Sequence, residues 1–142
     1  ASINVAIGTD GAASNNRLDM LEEMRLTSLL GKVTRGAQAL PAHQVLQMAT
    51  LNGAIALGIE ALTGSLSIGK AADITAIDFS GLELSPCFNP LSHLIYVASR
   101  EHVSHVWVNG QLLLNEGELV TLNEAEIIER TQYWQNRITS KQ

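Results

Sequence analysis

Cysteine is almost missing from this chain. Cys87 is the only one among 142 residues, so no internal disulfide can form. A single thiol fits a reducing compartment, and Cys87 itself reads as a half-buried small apolar residue rather than a nucleophile. Positive charge is also scarce: nine lysines and arginines face fourteen acids, for a net charge of −5. The basic residues are scattered singly, and without a basic stripe nucleic acid is not expected as a partner. No apolar run approaches the roughly 20 residues of a membrane-spanning helix, and no charged leader with a cleavage site opens the sequence. A soluble, cytoplasmic chain with no membrane partner is the expectation. Internal repeats, low-complexity tracts and long linkers are lacking too. What remains is one domain's worth of chain, long enough to bury a real core.

The sequence is organised around residues 3–16, INVAIGTDGAASNN. Val5 and Ile7 alternate with Ala6 and Gly8, then the run breaks into Thr9-Asp10-Gly11 and small polar residues. An apolar, β-branched segment ending in a Gly-containing loop predicts a buried strand that feeds a surface loop. In α/β folds chemistry sits at that carboxyl end of the strands. Asp10 is therefore the candidate functional residue, an acid at a strand tip among neighbours small enough to let a ligand approach. The competing reading is an acid that hydrogen-bonds the backbone of its own turn.

Helical spacing then predicts a helix over 18–33, capped by Ser14 or Asn16, with a wide apolar face suited to packing between a sheet and other helices. A second helix is expected over 42–57, opened by Pro41 and stopped by Gly58. Gly53 inside it would permit close packing, and His43 would be exposed with no role. From residue 62 the period becomes two, and 72–78 alternates as a strand. Gly69-Lys70 lacks the spacing of a phosphate loop, and Asp73 reads as a structural turn acid. A short helix is expected over 91–98, begun by Asn89 or Pro90. His93 on it reads as a packing residue rather than a ligand. Residues 103–120 form a β-meander with a type I′ turn at Asn109-Gly110, in which His102 and His105 make no metal pair. Asn123 and Glu126 resemble a capping box that starts a last, amphipathic packing helix.

GTDGAASNN followed by LDMLEEMRLTSLL resembles the last barrel strand and following helix of the metal-dependent amidohydrolases. It is most similar to the branch holding 5-methylthioadenosine/S-adenosylhomocysteine deaminases and triazine (chloro)hydrolases. MATLNGAIALG, GSLSIGKAADITAID, NPLSHLIYVAS and HVSHVWVNGQLL agree in order and spacing. The resemblance implies an α+β chain. Residues 1–60 would be the end of a (β/α)₈ barrel, 61–122 strands of a small β-sandwich with a short helix near 90–98, and 123–142 the C-terminal packing helix. A whole barrel needs roughly 200–250 residues, so the expectation is the C-terminal portion of a longer enzyme, with nothing upstream to complete the barrel.

The resemblance further implies that Asp10 is both a metal ligand and a catalytic proton shuttle. The ion would be divalent, zinc or else iron, with most of its ligands outside this chain. The implied reaction is hydrolytic deamination of an adenine nucleoside such as 5-methylthioadenosine or S-adenosylhomocysteine, with triazine-type hydrolysis as the alternative. The HxH pair, the further histidines and the substrate-binding acid of that family have no match here. The chain alone is therefore expected to be inactive and to need the N-terminal part of the same enzyme. A non-enzymatic alternative is a structural module whose unpaired edges drive homo-oligomerisation.

Overall fold

An amphipathic stretch becomes a helix only where its first amides find acceptors, and Asp19 supplies them. In the computed structural model, which describes residues 3–140, the Asp19 carboxylate accepts from the amides of Leu21 at 3.0 Å and Glu22 at 3.3 Å. Helix α1, Met20–Arg35, starts there. The cap is thus neither Ser14 nor Asn16. Asn15 Oδ1 accepts from the amides of Arg17 and Leu18, and Leu18 has a φ of 49°, so a tight turn precedes the helix.

The helix expected over 42–57 is two helices, α2 Ala42–Ala49 and α3 Leu51–Leu57, broken at Thr50 with φ −123° and ψ −92°. The Thr50 hydroxyl donates back to the Leu46 carbonyl at 2.7 Å, a contact that bends helices. Gly58 ends α3 in the left-handed conformation, φ 70°, as expected of a C-terminal glycine. Gly53 faces open space rather than a close neighbour. The tight approach is at Gly64, where a Cβ would lie 2.6 Å from that of Ala54. Helix α4, Pro90–Tyr96, is capped by Asn89, which accepts from the Ser92 amide at 2.9 Å.

These helices share one small core. Met24, Val45 and Ile95 are buried together, with Ile7, Leu21 and Tyr96 packed against them. Two polar groups knit the layer. Ser28, fully buried, donates to the Leu40 carbonyl at 2.8 Å and meets the Tyr96 hydroxyl at 2.7 Å. Arg25 reaches from α1 to the end of α4, donating through Nε to the Ile95 carbonyl at 3.2 Å and through Nη2 to that of Ala98.

The second half is an antiparallel sheet of β1 Ile74–Ile77, β2 Val103–Val108, β3 Gln111–Asn115 and β4 Glu118–Leu119, in the order β1-β2-β3-β4. The meander is the expected one. Asn109 and Gly110 both take positive φ, 50° and 76°, which matches the twist of the flanking strands. The chain is α+β, as anticipated.

Three further expectations change. Residues 3–8 are extended but pair with no strand among the described residues, and Ile3 and Val5 are 86% and 50% exposed. A strand exists only through its neighbours, and here the segment's hydrogen bonds go to helices instead. Helix α5, Glu124–Thr139, starts where Asn123 accepts from the Glu126 amide. It does not bury its stripe: Ile127, Trp134 and Ile138 all stay exposed. Cys87 is exposed rather than half-buried.

Candidate functional site

The extended segment delivers Asp10 to the surface just beyond the helical core. The Ile7 amide donates to the Met48 carbonyl at 3.1 Å, which anchors the segment three residues before the acid. Asp10 then turns the chain with φ 58°, a left-handed conformation that Asp tolerates better than most residues. Its Oδ1 accepts from the Gly11 amide at 2.7 Å, and its Oδ2 from the Ser14 hydroxyl at 2.7 Å. Ser14 and then Gly11 hold the carboxyl below its ordinary pKa, because each donor stabilises the charged form. Asp10 is therefore an exposed anion at neutral pH. A carboxylate has about four lone-pair sites, so each oxygen keeps room for another donor or a cation.

The loop around it is built from residues that sequence patterning undervalued. The Gly11 carbonyl accepts from the amides of Ser14 and Asn15, and the Asn15 side chain donates to Glu23 at 2.7 Å, tying the loop to the first turn of α1. Asp19-x-x-Glu22 carries the capping pattern that would have located the helix start.

The other candidates are dispersed. Asp73 accepts from Thr63 Oγ1 and from the Asn109 amide, each at 2.7 Å, and so pins one loop against the β2–β3 turn. Lys70 donates to the Thr63 carbonyl and to Ser65. His43 is exposed, and His93 is half-buried with its ring edge-on to Phe79 at 6.4 Å. His102 takes the Ser99 amide at Nδ1, which places the neutral ring's proton on Nε2, 2.8 Å from Glu83. His105 contacts Ser104 and stacks on Trp107 with centroids 5.3 Å apart. Among the described residues no three His, Cys, Asp or Glu side chains come together in a way that could hold a metal ion. Nor, among the described residues, is any helix long and apolar enough to cross a membrane.

Comparison with known proteins agrees in sequence and in shape. A 5-methylthioadenosine/S-adenosylhomocysteine deaminase from Teredinibacter turnerae is 46% identical over 140 residues, covering 98% of this chain and 32% of the relative. The crystal structure of an adenosine deaminase from Xanthomonas campestris with bound zinc superposes with a TM-score of 0.94 at 44% identity, over 97% of this chain and 32% of the other. That of the atrazine chlorohydrolase from Arthrobacter aurescens complexed with zinc superposes at 0.85 with 31% identity, over 92% and 29%. The chain thus spans about a third of the length of the relatives it matches. Residues 1–113 match the sequence profile of the amidohydrolase family, and the chain belongs to that family.

Proposed function

We propose that this chain forms the Asp10-bearing part of a metal-dependent amidohydrolase that removes the amino group of an adenine nucleoside by hydrolysis. The observation that supports it is the exposed, ionised Asp10 carboxylate at the end of an extended segment in a chain 44–46% identical to adenine-nucleoside deaminases. The 31% identity to the chlorohydrolase makes triazine-type hydrolysis the weaker reading. In architectural terms, residues 1–60 belong to the end of a barrel and 61–122 to a small sandwich.

Asp10 fits a divalent cation, zinc foremost, as one oxygen ligand. A catalytic zinc uses about three protein ligands, and the described residues bring no such set together. The remaining ligands therefore come from chain outside this one. Bound there, the ion would supply Lewis acidity and lower the pKa of a water. The part left to this chain is proton traffic. Asp10 accepts the proton that water loses as its oxygen bonds to the ring carbon bearing the amino group. It then returns that proton to the amino nitrogen, which leaves as ammonia when the C–N bond breaks. The Ser14 and Gly11 donors keep the carboxylate in one orientation through both transfers.

The test is ammonia release from adenosine, 5-methylthioadenosine and S-adenosylhomocysteine, beside chloride release from a chlorotriazine, by an assembled enzyme that contains this chain. The nucleosides are turned over and Asp10→Asn loses at least about a hundredfold in rate, the lower end of what a positioned acid–base group contributes. A preference for the triazine, or full activity in Asp10→Asn, overturns the proposal.

A further inference from the structure

An asparagine followed by glycine can react with itself. The glycine's backbone nitrogen attacks the asparagine Cγ and a new C–N bond closes a succinimide ring. The side-chain nitrogen leaves as ammonia, taking the proton that the backbone nitrogen gives up. Water then opens the ring at either carbonyl, which leaves aspartate or isoaspartate. Glycine favours the attack because no side chain shields its nitrogen. The chain contains two such steps, Asn52-Gly53 and Asn109-Gly110. Their surroundings differ. Asn52 lies in helix α3, and its Nδ2, the nitrogen that would leave, is bound to the Val5 carbonyl at 2.8 Å. Asn109 and Gly110 form the β2–β3 turn, and both are exposed.

That turn is held by the loop beside it. The Gly110 amide, the nucleophile, donates to the Ala72 carbonyl at 3.1 Å. The Asn109 amide donates to Asp73 Oδ1 at 2.7 Å, and Asp73 Oδ2 accepts from Thr63 Oγ1 at 2.7 Å. The Gly110 nitrogen cannot attack while its proton is shared with Ala72. Nor can the turn leave its φ angles of 50° and 76° while Asp73 holds the Asn109 amide. We infer that Asn109 is a site of spontaneous deamidation, gated by local opening of these bonds to residues 72 and 73. An exposed turn opens at lower cost than a helix, so Asn109 reacts ahead of Asn52. The product changes the sheet. A carboxylate at 109 stands beside that of Asp73, and isoaspartate adds a methylene to the backbone of a turn whose length sets the β2–β3 register.

The experiment incubates the whole chain at mildly alkaline pH and follows aspartate and isoaspartate at both positions by peptide mass spectrometry. In the folded wild type, product accumulates at Asn109 at least about tenfold faster than at Asn52, whereas in concentrated urea the two react at comparable rates. Asp73→Ala removes a charged acceptor and speeds the reaction at Asn109 by about tenfold or more, with Asn52 unchanged. Thr63→Val keeps the side chain's shape and loses only the hydroxyl that orients Asp73, so it gives a smaller acceleration at Asn109. If Asp73→Ala accelerates both positions alike, it has unfolded the chain, and Thr63→Val decides. Faster reaction at Asn109 alone then supports the inference, and an unchanged rate overturns it. Equal rates at the two positions in the folded wild type, or an Asp73→Ala rate equal to that of the wild type, also overturns it.

Discussion

Asn52 Nδ2 donates to the Val5 carbonyl at 2.8 Å, while Asn4 Nδ2 donates to the carbonyl of Asn52 at 3.0 Å. This reciprocal clamp, with the Ile7–Met48 bond, is how the helices hold the segment that ends in Asp10. A hydrogen bond of this kind contributes about 1 kcal/mol. Asn52→Ala should therefore raise hydrogen exchange at the Ile7 amide about five- to tenfold, with the amides of α1 unaffected. Unchanged protection at Ile7 would mean that apolar contact alone fixes the segment.

Ser28 tests how α1 is joined to α4. Its buried hydroxyl serves both the Leu40 carbonyl and the Tyr96 hydroxyl. Removing it strands two polar groups, so Ser28→Ala should cost about 1–3 kcal/mol in urea unfolding. Tyr96→Phe leaves Ser28 its Leu40 acceptor and should cost less. Equal costs would contradict this division.

Asp73 makes the fold respond to acid. Thr63 first, and then the Asn109 amide, hold its carboxyl below the ordinary value. A depressed folded-state pKa means that the stabilisation is complete above the unfolded pKa and is lost as pH falls through the folded one. The stability gap between wild type and Asp73→Asn should be widest near neutral pH and close in acid. The amide shift of Asn109 should titrate with it. A gap that stays constant from about pH 7 to about pH 2 would contradict the assignment.

The sequence made the local elements legible where a residue type has a single geometric use. Asn109-Gly110 demanded positive φ, Gly58 ended a helix, and Asn89 before Pro90 began one. Legibility failed where a side chain chose among backbone partners. Thr50 turned back on Leu46 and split a helix, and Asn15 took the Leu18 amide that a cap at Asn16 would have used. The strand expected before Asp10 failed for a different reason, since β-branched alternation records a preference for pairing and not the presence of a partner. At the site, Asp10 stood out by its position at the end of an apolar run. Ser14 and Asn52, which orient it and its segment, carried no pattern of their own.

Asp10 is proposed as one ligand of a metal site completed by other chain. The most direct test is zinc content by plasma mass spectrometry after dialysis against zinc buffer, for this chain alone, for an assembled enzyme that contains it, and for that enzyme carrying Asp10→Asn. Near-stoichiometric zinc is expected only in the wild-type assembled enzyme. Near-stoichiometric zinc on the chain alone, or zinc retained undiminished in the assembled enzyme carrying Asp10→Asn, would contradict this role.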